Sequence, residues 1–260
     1  MEELTLRESR ASELIFKTAL AEPAQDAVEL EEEYAWLEGG QSYVACAFYT
    51  PNYVEQVTTL KRSLEAQGIN HFFKRYQRRA TWESTTRLKP VFVDYALKKF
   101  PDKDVLYLDA DAVVRRPLTF FDDLKGDISM LFHRAKVRGK HRLQIAAGTV
   151  FVRNTEGGRR FAGLWKDAEQ YCRPLTVDEE MVYMAFDDMA GISFAVLPPT
   201  YSKIFDQPGS EPVIEHFQAS RQQFKWRRLL RRARRKGLIV GGAMAAGGVW
   251  WLSQHLAWVA

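Results

Sequence analysis

At 260 residues, with 46% hydrophobic and 27% charged side chains, the chain can bury one substantial core and is neither a disordered nor a disulfide-built sequence. Its two cysteines, Cys46 in an apolar run and Cys172 at a helix end, lack metal-ligand spacing and fit a reducing compartment. The net charge of +4 misleads: nine Lys/Arg fall between Arg221 and Lys236 with no acidic residue there or beyond. Residues 1–220 therefore carry −5, which excludes a general nucleic-acid footprint on the body.

Residues 1–40 hold eleven acidic against three basic residues and predict an acidic extension with no secretory leader. Within it Leu14-Ile15-Phe16 and Tyr34-Ala35-Trp36-Leu37 are short apolar anchors, expected on one or two loosely docked helices. From Ser42 the pattern turns to alternating strands and helices. Tyr43–Tyr49 is an apolar strand, and Thr50-Pro51-Asn52 is a turn. A helix follows to about Gln67, with Val54, Val57, Leu60 and Leu64 on one face and Gly68 closing it. Residues 69–76 predict a second strand, and residues 91–100 a helix entered after Lys89-Pro90. Residues 128–132 and 149–152 predict further strands, separated by a basic loop with His133 and His141 that is expected to be mobile over the site. Helices are expected after Gly157-Gly158 and at Asp178, and short strands at 192–197 and 213–217. Alternation of this length predicts an α/β fold with a mostly parallel sheet flanked by helices.

The most informative stretch is Val105-Leu106-Tyr107-Leu108 running into Asp109-Ala110-Asp111. Residues i and i+2 of a strand share a face, so this spacing presents two carboxylates together at the carboxyl end of a central strand. Ligands of open α/β sheets bind at that edge. Paired hard oxygen donors favour Mn²⁺ or Mg²⁺, which in turn binds phosphate. The same spacing also occurs in simple Asx-turns.

The chain ends in a basic run, residues 225–236, followed by an uncharged, mostly apolar stretch, residues 238–260. As a helix at about 1.5 Å per residue this stretch spans ~34 Å, enough for a bilayer core of ~30 Å. Trp250, Trp251 and Trp258 suit an interface, and the basic run suits the anionic cytoplasmic leaflet. Ser253, Gln254 and His255 interrupt the span, so a helix lying on the surface, or one docked on the body, stays open. The expected organisation is an acidic extension over 1–40, a catalytic domain over 41–226, a polybasic linker over 227–237 and a membrane-associated helix over 238–260. The protein is thus expected at the cytoplasmic face of a membrane, tail-anchored or peripheral.

In its order of motifs the sequence resembles the nucleotide-diphospho-sugar transferases of the GT-A fold. The resemblance runs from Thr50 with Tyr53 through Trp82, Lys89-Pro90, the Asp109-Ala110-Asp111 strand end, Gly148-Thr149, Asp178-Glu179 and Leu197-Pro198-Pro199 to Val213-Ile214-Glu215-His216. It covers roughly residues 43–226. It implies a Rossmann-like nucleotide half followed by an acceptor half, with Asp109, Asp111 and His216 holding Mn²⁺ or Mg²⁺ on the diphosphate of a UDP- or GDP-linked sugar. Read without the family, a lone His216 beside Phe217 is a core residue. The resemblance further implies that Thr50 and Tyr53 lie near the base and ribose, that Lys89 pairs with phosphate, and that Gly148 and Thr149 line the sugar pocket. Asp178 would contact the acceptor hydroxyl or act as base, its plainer reading being a helix N-cap. The family often has Asp-Gln where this chain has Asp178-Glu179. The expected activity is metal-dependent transfer of a sugar to a hydroxyl of a glycan or lipid-linked acceptor. A nucleotidyltransferase shares fold and metal logic, but Cys46-Ala47-Phe48-Tyr49-Thr50-Pro51 lacks its Gly-rich signature. A catalytically inactive, membrane-tethered nucleotide-sugar-binding module is the alternative from another class.

Overall fold

The computed structural model describes residues 32–137 and 140–219, and the first of its two compact units ends at Phe217. The expected anchor at Leu14-Ile15-Phe16, the polybasic linker and the apolar helix over 238–260 lie outside the described residues. In chain order the elements are β1 (Glu33–Trp36), β2 (Tyr43–Tyr49), α1 (Val54–Ala66), β3 (His71–Arg75), α2 (Trp82–Thr86), α3 (Leu88–Lys99), β4 (Asp104–Leu108) and β5 (Ala112–Val114). They continue with β6 (Ile128–Val137), β7 (Lys140–Val152), α4 (Glu156–Asp167), α5 (Asp178–Met184), β8 (Phe194–Val196), β9 (Lys203–Ile204) and β10 (Ile214–His216).

A seven-stranded sheet has the order β1-β3-β2-β4-β7-β6-β8. It is mixed: parallel through β3-β2-β4 and at β6-β8, antiparallel at β1-β3 and across β4-β7-β6. Every residue of β2 is buried because both faces of the sheet are covered. Val44, Cys46 and Phe48 point to one face, where Phe92 and Val93 of α3, Phe161 and Trp165 of α4 and Met181 of α5 pack. Tyr43, Ala45 and Ala47 point to the other, against Val57, Leu60 and Leu64 of α1. Those three α1 residues are fully buried, each contributing about 1.5–3 kcal/mol. Gly68 stops the helix at φ +61, a backbone angle that glycine adopts without a Cβ penalty. Pro90 falls in the first turn of α3, where a missing N–H costs no intrahelical bond.

Two expectations are corrected. Residues 34–36 are not helical: β1 pairs with β3, with Tyr34 opposite Phe73 and Trp36 opposite His71. Nor is the basic stretch a loop. His133 pairs with Gln144, Lys136 with His141 and Val137 with Lys140, so it forms the outer part of the β6-β7 hairpin, which is bulged at Met130/Leu131.

A second, three-stranded sheet, β5-β10-β9, begins directly after the Asp-x-Asp segment. β10 pairs antiparallel with β5, setting His216 opposite Ala112. This small sheet carries the end of the domain back to the edge of β4.

Candidate active site

β4 stops at Leu108, and Asp109 to Asp111 form a tight turn closed by a 2.9 Å bond from Ala112 N–H to the Asp109 carbonyl. The two carboxylates therefore meet through a turn, where strand alternation was the expected cause. The Asp109 N–H donates to the Gly148 carbonyl of β7 at 2.8 Å, and the Phe217 N–H to the Asp111 carbonyl at 3.1 Å. These bonds fasten the turn to β7 on one side and to the end of β10 on the other. One ligand atom each from Asp109, Asp111 and His216 then lies within 4.8 Å of the others. Two carboxylates and an imidazole are the donor set suited to Mn²⁺ or Mg²⁺, so these residues fit the metal that the resemblance implies.

His216 is buried, and its Nε2 lies 2.8 Å from the Thr149 hydroxyl. With Nε2–H donated to Thr149, Nδ1 keeps its lone pair, the outer-shell arrangement that orients a ligating imidazole. Burial drives the His216 pKa down to about 4, with Asp109 pulling it up and Lys89 pushing it further down. The ring is therefore neutral near neutral pH, as metal ligation requires. Gly148 stands between two of the candidate ligands: a Cβ there would lie 3.0 Å from His216 Cε1 and 3.2 Å from Asp109 Oδ2. Absence of a side chain at 148 lets the two groups approach.

Beneath the turn lies a buried cation. Lys89 of α3 sets its ammonium 3.0 Å from Asp109 Oδ1, 2.6 Å from Asp178 Oδ2 and 2.8 Å from the Ala147 carbonyl. The carbonyl accepts a hydrogen bond, and the two carboxylates face the ammonium as ion pairs. The ammonium also sits 5.0 Å from the Tyr107 ring. Burial opposes its charge, but Asp109 and Asp178 outweigh burial and raise its pKa. Asp178 is pushed upward by burial, with Lys89 opposing. Its side chain makes no N-cap bond. Asp178 is the first residue of α5, and Glu180 takes the capping role by accepting the Val177 N–H at 3.1 Å.

The remaining expected residues separate into two groups. Tyr53 faces the carboxylates: burial first, then Asp111 and Asp109, raise its pKa, with Trp82 opposing. Thr50 is buried at the end of β2, its hydroxyl donating to Asn52 Oδ1 at 2.7 Å. Thr149 is also buried, its hydroxyl turned to His216. Tyr107 escaped sequence reading as a participant, and Glu179 entered it only as the neighbour of Asp178 in the motif. The Tyr107 hydroxyl donates to Asp109 Oδ1 at 3.0 Å, a contact implied by their i, i+2 spacing. Glu179 accepts the Ala147 N–H at 3.4 Å, and burial, followed by Asp178, lifts its pKa to about 7.

No protein-family model matches the sequence, and no curated protein matches it significantly. Solved structures do. A glycosyltransferase involved in glycosylation of the major capsid of PBCV-1 superposes with a TM-score of 0.52 at 18% identity, over 70% of this chain and 96% of that one. The glycosyltransferase GlyE of Streptococcus pneumoniae TIGR4 aligns at 19% identity over 67% of this chain and 54% of its own, with a TM-score of 0.46. The galactosyltransferase LgtC, solved with donor and acceptor sugar analogs, aligns at 13% identity over 67% and 87%, with a TM-score of 0.48. Together with the seven-stranded sheet and its flanking helices, the first of these likenesses identifies the fold as the GT-A fold of nucleotide-sugar glycosyltransferases.

Proposed function

We propose that the chain is a metal-dependent glycosyltransferase that moves a sugar from a nucleoside-diphosphate donor to a hydroxyl acceptor. One observation carries the reading: Asp109, Asp111 and His216 converge within 4.8 Å at the carboxyl end of β4, in a fold shared with glycosyltransferases. These three residues would hold Mn²⁺ or Mg²⁺, which when bound neutralises charge on the departing nucleoside diphosphate. Asp178 is assigned to a sugar or acceptor hydroxyl, and its upward-shifted carboxyl suits it to taking a proton. Thr50 and Tyr53 are assigned to the nucleotide. Lys89, engaged by two carboxylates and a carbonyl, is assigned to charge balance beneath the site rather than to phosphate. Thr149 is assigned to the orientation of His216, and Gly148 to the space between His216 and Asp109. The apolar tail and its basic run carry a further proposal, association with the cytoplasmic face of a membrane and an envelope or lipid-linked acceptor. No helix among the described residues is long and apolar enough to cross a membrane.

The test is calorimetric binding of UDP- and GDP-sugars to the full chain, with and without Mn²⁺, beside Asp111→Ala. Mn²⁺-dependent binding of one donor, reduced at least tenfold by the substitution, is expected. Folded protein that binds no donor would overturn the reading and leave Asp109 and Asp111 as a structural turn.

A further inference from the structure

The two oxygens of Asp109 stand in different surroundings. Oδ1 accepts the Tyr107 hydroxyl at 3.0 Å and faces the Lys89 ammonium at 3.0 Å. Oδ2 lies 3.2 Å from the point where a Gly148 Cβ would sit, and the same point is 3.2 Å from His216 Nδ1. One oxygen is held from below, while the other is turned toward the second candidate ligand. Both holding groups are themselves fixed. Tyr107 is a fully buried residue of β4, packed against Phe92 of α3 and Phe48 of β2. Lys89 is buried and bound to Ala147 and Asp178 as well. With one oxygen hydrogen-bonded to Tyr107 and ion-paired with Lys89, Asp109 has little freedom to swing both oxygens toward one ion.

We propose that Tyr107 and Lys89 are positioning residues that restrict Asp109 to a single coordinating oxygen, Oδ2, and so select a small octahedral cation over a larger one. This rests on the reading that Asp109, Asp111 and His216 hold a divalent ion. The selectivity follows from coordination chemistry. Ca²⁺ takes six to eight oxygens at about 2.3–2.6 Å and readily uses both oxygens of a carboxylate. Mg²⁺ demands near-ideal octahedral geometry at about 2.0–2.1 Å, which one-oxygen carboxylates supply more readily than chelating ones. An imidazole in the set favours Mn²⁺ further. A carboxylate released from Oδ1 gains a second donor atom, which benefits Ca²⁺, and loses its preset direction, which harms Mn²⁺. Tyr107 and Lys89 need touch neither the ion nor the sugar to act in this way.

The experiment measures Mn²⁺ and Ca²⁺ affinity separately, by calorimetry on the full chain with each metal alone. Tyr107→Phe removes one hydroxyl from a buried ring and keeps every charge. Its Mn²⁺ affinity is expected to fall about tenfold, the lower end of what loss of an outer-shell partner costs. Its Ca²⁺ affinity should hold or rise, so the Mn²⁺/Ca²⁺ ratio drops about tenfold. Asp109→Asn, which weakens the ligand itself, should lower both affinities and leave the ratio nearly unchanged. Should Tyr107→Phe not fold, Lys89→Arg provides the same ratio, because it keeps the charge and moves the donors away from Oδ1. A Mn²⁺/Ca²⁺ ratio within twofold of the unsubstituted protein in a folded variant would overturn the proposal. Failure of the folded unsubstituted protein to bind Mn²⁺ would overturn the metal reading itself, and this inference with it.

Discussion

Gly148 lies between His216 and Asp109, and a hypothetical methyl group there would stand closer to both than ordinary van der Waals contact allows. A Gly148→Ala substitution therefore forces one of the two to move by a few tenths of an ångström. The expected result is a Mn²⁺ affinity at least tenfold lower with little change in melting temperature, because His216 is pushed aside while the core stays intact. Unchanged Mn²⁺ titration of this variant would show that the two groups do not act on one ion. Glu179 offers a second test at this scale. Its pKa in the fold, about 7, lies above the ordinary glutamate value, so the folded state holds a proton that the unfolded chain releases at lower pH. Stability then falls as pH rises from the unfolded pKa near 4.5 to about 7, and is flat beyond. Glu179→Gln lacks this loss. Urea unfolding should show the variant gaining on the unsubstituted protein between pH 5 and pH 8. Equal gaps at both pH values would mean that Glu179 titrates normally.

Among the elements, β1 is held by charge as well as by its ladder with β3. Its Glu33 carboxylate receives Lys74 from β3, Lys99 from α3 at 2.8 Å and the Tyr95 hydroxyl at 2.7 Å. Lys74 and then Lys99 lower the Glu33 pKa to about 2. A depressed carboxylate stabilises the fold above its unfolded pKa, near 4.5, and loses that contribution as pH falls toward about 2. Glu33→Gln should therefore be less stable than the parent at pH 7 by urea denaturation, with the two curves converging as pH drops to 2. A constant difference across that range would place the stabilisation in packing. β2, β4 and α1 were legible because buried alternation and a 3.6-residue apolar face are written in side chains. β1 was not, since Glu-Tyr-Ala-Trp sits in an acidic stretch with one pattern too short to have a period. The outer β6-β7 hairpin was hidden for a related reason: His133 to Arg142 has almost no apolar alternation, and ladder hydrogen bonds between backbones leave no trace in composition. In the site, the paired aspartates and His216 were readable from spacing and motif order. The roles of Tyr107 and Lys89 were not, because which buried side chain lies under a turn is decided by helix placement on the sheet.

At the scale of the whole molecule, the seven-stranded sheet is packed on both faces, and the small β5-β10-β9 sheet closes its carboxyl edge. The basic and apolar segments after residue 220 add a property that the body, at −5, lacks. If they hold the protein on a bilayer, the full chain should cosediment with vesicles containing phosphatidylserine and far less with pure phosphatidylcholine. Replacing Arg227, Arg228, Arg231 and Arg232 by Gln should shrink the difference, each charge near an anionic surface being worth about 1 kcal/mol and five basic residues remaining. Equal partitioning to both vesicles by the unsubstituted chain would leave electrostatic attraction without a part.

The pairing of β10 with β5 has a consequence for the order in which the protein is made. Asp109 and Asp111 leave the ribosome about a hundred residues ahead of His216. At roughly 5–20 residues per second that is a delay on the order of 5–20 s. During it, β2, β3 and β4 are all available to assemble, while the two carboxylates wait without their imidazole. Thr149 has emerged by then, but the group it orients has not. A nascent chain arrested before Ile214 would carry most of the large sheet but only two of the three residues of the proposed cation site, so that cluster is completed in the last step of synthesis of the body.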